Sequence, residues 1–245
     1  MRSVIVIPAR YESTRFPGKP LVKLANKPMI QWVYERAGQI PGVQKIIVAT
    51  DDSRIADAVT KFSGNVVITP KNISNGSERV GFVAKDLDAE IIVNLQGDEP
   101  LISADDVAKA IHTLAADPRL NIVTLGFPIQ NEADWKNPAI VKVVVDGQMN
   151  AVYFSRAPIP HFRDAHFRAI PRLFRHIGVY VYRKSFLLEY LSWPEGVLEK
   201  CEKLEQLRIL ERGYQIKVVE SASLSPGVDT PEDISIIEKL LKKKG

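Results

Sequence analysis

The sequence leads to an α/β fold, a mostly parallel central sheet that carries an antiparallel insertion. Three features support this. Short Val/Ile-rich runs at 4–7, 46–49, 66–68, 91–95 and 122–125 recur between turn residues without alternating with polar positions. Strands covered on both faces read this way. Helical patterns separate the runs, and strand–helix–strand repetition implies right-handed crossovers and parallel pairing. From about residue 138 the pattern turns to alternation, which marks antiparallel strands.

The first run, 4–7, leads into IPARYESTRFPGKP at 7–20, a loop with three cations (Arg10, Arg15, Lys19), three prolines (Pro8, Pro17, Pro20) and Gly18. Prolines fix φ and glycine lets backbone approach a ligand closely. A basic loop is commonly a solvated one. Three cations on a stiffened loop at the carboxyl end of a buried strand, where open α/β sheets bind ligands, point instead to a polyanion such as a triphosphate. The loop is not a Walker A sequence, because Gly18-Lys19 is followed by Pro20. No Gly-x-Gly-x-x-Gly follows the strand either, so the usual ATPase and dinucleotide signatures are missing.

Ile30, Val33, Tyr34 and Ala37 follow helical spacing after Pro28, and Ser103 with Asp106 marks the start of a helix through Val107, Ile111 and Leu114. Between these helices, the loop at 73–79 holds Ser74, Ser77 and Arg79 around Asn75 and Gly76. It reads equally well as a helix start and as a contact for a base or ribose. The run 91–95 ends in Gln96-Gly97-Asp98-Glu99-Pro100. Asp98 alone reads as a turn residue. Paired with Asp229 of the Gly227-Val228-Asp229-Thr230 junction, it becomes a candidate ligand for a hard cation.

Two strands at 139–145 and 151–154 flank Asp146-Gly147, a hairpin signal. The segment 173–183 alternates, with Phe174, His176, Gly178, Tyr180 and Tyr182 on one face. Helices are expected at 185–190 and 199–211, a strand at 215–220, and a last helix capped by Thr230 with Pro231 in its first turn. The lone Cys201 is expected to be a half-buried thiol. The simplest organisation is one domain over 1–245, with 139–183 as the antiparallel insertion.

The composition, 45% hydrophobic and 25% charged with a net charge of +4 and a pI near 9.0, is that of an ordinary globular protein. With 33 cations against 29 anions and no aromatic–basic interleaving, a nucleic-acid partner is not expected. No run approaches the ~20 apolar residues of a membrane span. The N-terminus reads as a strand rather than a signal peptide, and a cytoplasmic location is expected.

Taken together, IPARYESTRFPGKPL, SNGSER, VNLQGDEP, VKVV, YFSRAPIP, RHIGVYVYR, LEQLRIL and GVDTPED resemble the 3-deoxy-manno-octulosonate cytidylyltransferase family, in the family's order and across nearly the whole chain. The resemblance implies a Rossmann-like nucleotidyltransferase fold, a homodimer, and Mg²⁺-dependent joining of CTP to the acid sugar Kdo, giving CMP-Kdo for lipopolysaccharide synthesis. It further implies that Arg10, Arg15 and Lys19 hold the triphosphate, with Arg15 and Lys19 also catalytic. Ser74, Ser77, Arg79 and Gln96 would line the cytidine side. Asp98 and Asp229 would ligate the metal and take part in catalysis. Arg156, His176, Tyr180, Glu205 and Gln206 would face the sugar. The family's third loop reads Ser-Gly-Thr-Glu-Arg; here Asn75 is added or displaces a residue, and Ser77 stands in place of Thr. The alternatives are a cytidylyltransferase for another acid sugar (8-amino-Kdo or sialic acid), a nucleotide-sugar-dependent glycosyltransferase, and a non-catalytic nucleotide sensor.

Overall fold

The structure is a computed structural model that describes residues 1–12, 16–73, 75–163, 166–228 and 230–244. Its strands are β1 (Ser3–Ala9), β2 (Lys23–Leu24), β3 (Lys27–Pro28), β4 (Val43–Thr50), β5 (Val66–Ile68), β6 (Ile91–Leu95), β7 (Ile122–Pro128), β8 (Lys142–Val145), β9 (Ala151–Ser155), β10 (Leu173–Arg183) and β11 (Lys217–Glu220). The helices are α1 (Met29–Ala37), α2 (Ser53–Lys61), α3 (Gly76–Ala84), α4 (Ala104–Ala116), α5 (Glu132–Lys136), α6 (Lys184–Tyr190), α7 (Val197–Glu202), α8 (Leu207–Glu211) and α9 (Asp233–Lys244).

The main sheet runs β11-β7-β10-β6-β1-β4-β5. Pairing is parallel across β6-β1-β4-β5 and between β7 and β11. β10 runs antiparallel between β6 and β7 and extends past them to pair with β8, which pairs with β9. The predicted mixed sheet is therefore present, and the antiparallel strand passes through its middle rather than along an edge.

The non-alternating runs have the expected cause. Ile5 and Ile7 pack with Ile30, Val33, Ile55 and Val107 on one face, while Val4 and Val6 pack with Val80, Val83 and Leu187 on the other. Each β1 residue is thus buried by a helix layer on one side or the other, and apolar burial at roughly 25 cal/mol per Å² supplies the main driving force. Tyr34, Tyr180 and Tyr182 extend the two layers as partly or fully buried aromatics.

Local expectations changed in several places. The predicted helix at 199–211 is two short helices, because Lys203 adopts a left-handed φ of 55° and ends α7. The hairpin expected around Asp146-Gly147 is present, closed by a loop that Asp146 brackets. The Asp146 carboxylate accepts from the backbone N–H of Gln148 and Asn150, and Met149 rather than Gly147 carries the positive φ. α9 starts at Asp233 rather than directly after Thr230, whose N–H and hydroxyl both donate to the Asp233 carboxylate. Cys201 is exposed, because α7 turns that face outward.

Candidate active site

The carboxyl ends of β1, β4, β6 and β7 and the 176–180 stretch of β10 lie at one rim of the sheet, as the registers Ala9↔Thr50, Tyr180↔Asn94 and Ile177↔Leu125 require. Two cavities open there. The first, about 340 Å³, is lined by residues that include Arg10, Glu12, Lys19, Gly97 and Asp98. The second, about 220 Å³, is lined by Ser77, Tyr180, Tyr182, Glu205 and Gln206 among others. Gly76 and Gln96 line both, so the two cavities adjoin.

The first cavity is built by a folded-back loop. Gly18 N–H donates to the Tyr11 carbonyl at 2.8 Å, and Gly18 sits at φ +72° with the Tyr11 ring where a Cβ would come within 3.2 Å. An L-residue pays roughly 1–2 kcal/mol for that backbone conformation, which explains the glycine. The other face of the loop is held by Arg54, whose guanidinium lies 3.3 Å from the Tyr11 ring centroid and is braced by Asp52. The turn that follows carries Lys19. Its Nζ donates to Asp98 Oδ2 at 2.5 Å and to the Val228 carbonyl at 2.9 Å. Val228 N–H in turn donates to the Asp98 carbonyl at 3.0 Å. Val228 is therefore pinned beside Asp98. Gly97 permits this corner, since a Cβ there would meet the Pro8 carbonyl at 3.0 Å.

The second cavity is walled by tyrosines of β10 and by the α7–α8 junction. The left-handed Lys203 turns the chain so that Glu205 and Gln206 enter the cavity. The Gln206 side chain is only 4% exposed, and its Nε2 has no hydrogen-bond partner. A buried donor left open at a cavity wall costs about 1–3 kcal/mol unless a ligand takes it up. Burial raises the Glu205 carboxyl, and the Ser77 hydroxyl partly offsets the rise. Burial likewise holds the Tyr180 and Tyr182 hydroxyls well above their usual range.

Of the sequence-predicted residues, Arg10, Lys19, Gln96 and Asp98 meet in the first cavity, and Ser77, Gln96, Tyr180, Glu205 and Gln206 meet in the second. Ser77, expected on the cytidine side, thus shares a cavity with the sugar-side candidates. Arg79 lines neither cavity. Its guanidinium is fully buried and binds Asp51 at 3.0 Å, with Thr69 as a further acceptor, so it anchors α3 to the ends of β4 and β5. Burial lowers its pKa and Asp51 opposes that shift. Arg156 also lines neither cavity; its Nε donates to the Glu202 carbonyl at 3.0 Å and its Nη1 to the Pro138 carbonyl at 3.3 Å. His176 stands behind Tyr180, its ring 5.3 Å from the tyrosine's and 5.2 Å from that of Phe154, with Nε2 at 2.9 Å from the Thr124 hydroxyl. Arg15, Ser74 and Asp229 lie outside the described residues. Sequence reasoning missed Glu12 and Tyr182. The latter was legible, because it shares the alternating face of β10 with Tyr180.

Burial among these rings pushes His176 down to about 3, so the ring is neutral near pH 7. The unfolded chain takes up this proton near 6.5 while the folded chain resists until about 3. Stability contributed by the neutral ring is therefore complete above pH 6.5 and is lost as the pH falls through that window. The loss reaches at most about 2 kcal/mol by pH 5. His176→Asn, which cannot titrate, is expected to flatten the fall in melting temperature between pH 7 and 5. An unchanged slope would show that His176 protonates freely in the fold.

The wider comparisons show the family and the fold. The cytidylyltransferase family model matches residues 4–218. A 3-deoxy-manno-octulosonate cytidylyltransferase of Syntrophotalea carbinolica is 50% identical over 248 residues, covering 99% of each chain. One of Geobacter sulfurreducens is 48% identical over 251 residues, again with 99% of each chain covered. Among solved structures, CMP:2-keto-3-deoxy-manno-octonic acid synthetase complexed with CTP superposes with a TM-score of 0.94 at 43% identity, over 100% of both chains. A 4-diphosphocytidyl-2C-methyl-D-erythritol synthase from Anaerococcus prevotii, 15% identical with a TM-score of 0.66 over 98% of both chains, shares the fold alone.

Proposed function

We propose, from the premise that this chain belongs to the 3-deoxy-manno-octulosonate cytidylyltransferase family, that it joins CTP to Kdo to give CMP-Kdo and pyrophosphate, activating the sugar for lipopolysaccharide synthesis. The observation that carries this reading is the pair of adjoining cavities at the sheet rim. One has cations placed for a polyphosphate, and the other has hydroxyl, amide and carboxyl groups suited to a polyhydroxy acid.

The reaction needs the Kdo anomeric hydroxyl in line with the α-phosphorus of CTP. A bond forms from that oxygen to phosphorus as its proton passes to water, the bond from phosphorus to the bridging oxygen breaks, and pyrophosphate leaves. Both partners are anions, and two like charges ~4 Å apart cost about 4 kcal/mol at an effective dielectric near 20. Arg10 and Lys19 offset that repulsion on the nucleotide side. Tyr180, Glu205 and Gln206 orient the sugar, with the unpartnered Gln206 amide offering a donor to a sugar oxygen. Holding two reactants in line is worth roughly 7–11 kcal/mol of the barrier.

Mg²⁺ fits the first cavity on its donor chemistry: the Asp98 carboxylate and the Val228 carbonyl converge there and already hold a cation, the Lys19 ammonium. Asp98 and Asp229 are its proposed ligands, and when bound the ion would neutralise phosphate charge and steady the departing pyrophosphate. A homodimer is also proposed, supported by the outer hairpin strand β9, which pairs with β8 and leaves Val152 59% exposed. A cytoplasmic location completes the reading; no described helix is long and apolar enough to cross a membrane.

The test is pyrophosphate release with each of the four nucleoside triphosphates, with Kdo, 8-amino-Kdo or sialic acid present or absent. Release that requires CTP and is fastest with Kdo is the expected result. A higher kcat/KM with another acid sugar would replace Kdo as the substrate, and CTP binding without release under any condition would make the chain a sensor.

A further inference from the structure

We propose that Lys19 is an exchangeable cation that couples the nucleotide to the divalent ion. Its ammonium serves Asp98 until the polyphosphate draws it away, and the released carboxylate then takes the metal. This rests on the cytidylyltransferase reading above and concerns what this chain's own side chains do.

The geometry of one side chain supports it. Lys19 Nζ sits 2.5 Å from Asp98 Oδ2 and 2.9 Å from the Val228 carbonyl oxygen. A carboxylate and a backbone carbonyl are the oxygen donors a hard divalent ion prefers. The ammonium and the ion would therefore compete for the same negative charge and the same oxygens. Lys19 also lines the cavity, with Arg10, and so faces the space proposed for the phosphates.

The local structure lets the side chain move without the backbone. Leu21 N–H donates to Gly18 O at 2.9 Å, Val22 N–H donates to Lys19 O at 3.1 Å, and Pro20 fixes the next φ. The Lys19 backbone is thus held in a closed turn, while its four-carbon stem can swing a compact charge across the cavity. An arginine fork would be less suited to this, because its planar head prefers to keep both oxygens of one carboxylate.

The thermodynamic consequence is reciprocal. With Lys19 on Asp98, a divalent ion meets a neutralised carboxylate and binds weakly. Once phosphates hold Lys19, Asp98 regains its charge and the phosphates supply further ligands. Nucleotide therefore raises metal affinity, and the metal raises nucleotide affinity by the same factor.

The test measures binding without turnover. Mn²⁺ serves as a paramagnetic probe, and free Mn²⁺ is read by electron paramagnetic resonance. Wild type, Lys19→Met, Lys19→Gln and Asp98→Asn are titrated with and without CTP, no acid sugar present, and binding of Mn²⁺ to CTP alone is subtracted. Without nucleotide, Lys19→Met is expected to bind Mn²⁺ at least tenfold more tightly than wild type. CTP should then enhance its Mn²⁺ binding far less than it does in wild type. Lys19→Gln should behave in the same way, and a thermal melt confirms that each variant is folded. Asp98→Asn should lose tight Mn²⁺ binding in every condition. Lys19 variants that bind Mn²⁺ no more tightly than wild type, beside a wild type that binds it well with CTP, would overturn the exchange while leaving the metal assignment standing. A wild type that retains no more Mn²⁺ with CTP than CTP holds alone would overturn the metal assignment, and the exchange with it.

Discussion

Asp98→Asn is expected to lower kcat/KM for CTP by at least ~1000-fold, about 4 kcal/mol of transition-state stabilisation, while the protein stays folded. The substitution keeps the shape of the side chain and removes its charge. Asp98 sits at the corner after β6, where its carboxylate receives the Lys19 ammonium and its backbone carbonyl receives Val228 N–H. Only the first of these contacts is weakened in the variant, by loss of the carboxylate charge. The Asp98 side chain is 32% exposed, so the fold does not depend on its charge, and the melting temperature should move by no more than a few degrees. Initial rates of pyrophosphate release beside a thermal melt check both halves. Full activity in the folded variant would remove Asp98 from the chemistry.

The largest expected loss of stability comes from Glu199→Ala. Glu199 and Arg208 are each 7% exposed and make a two-pronged pair, Nε to Oε2 at 2.7 Å and Nη2 to Oε1 at 2.6 Å. Arg208 Nη1 also donates to the Trp193 carbonyl at 2.9 Å. The pair joins α7 to α8 across the junction that sends Glu205 and Gln206 into the second cavity. Removing the carboxylate strands a buried guanidinium, at a cost of about 3–5 kcal/mol, or roughly 10 °C in melting temperature for a chain of this size. The double variant Glu199→Leu with Arg208→Met removes both charges and should recover most of that loss. If the pair also aims the junction, the double variant will melt near the wild-type temperature and still show a raised KM for the acid sugar with an unchanged KM for CTP. Wild-type KM values for both substrates would confine the pair to stability.

Much of the site could be read directly from the sequence, because it is built from short stretches whose chemistry is local. The loop at 7–20 announces a rigid cationic feature through its prolines and cations alone, and Arg10 and Lys19 indeed line the first cavity. The alternation in β10 is a period-two signal that survives folding. It places His176, Tyr180 and Tyr182 toward one layer, although the register slips between Ile177 and Tyr180. Arg79 and Arg156 show where such reading fails. Both are cations in motifs that resemble binding loops, and both are spent on partners distant in sequence: Arg79 on Asp51, and Arg156 on the carbonyls of Glu202 and Pro138. A motif records residue type and spacing, whereas the direction of a long side chain depends on acceptors that other segments bring near it. Asn75 is the reverse case. It looks like a disturbance of the loop, yet its side chain accepts from Glu78 N–H at 2.8 Å and caps α3, so the added residue has a helix-starting role.

Residue order was enough to set the layered α/β class, the two-sided burial of its strands and the cationic turn after β1. Each of these follows from backbone preference and hydrophobic period over a few neighbouring residues. Folding in three dimensions was needed to thread β10 between β6 and β7, to bring Lys19, Asp98 and Val228 within hydrogen-bonding reach, and to break the 199–211 helix at Lys203 so that Glu205 and Gln206 enter a cavity. Lys19 and Val228 are more than two hundred positions apart, and no local pattern encodes a contact at that separation. It arises because a parallel sheet gathers the carboxyl ends of strands from the whole chain along one rim.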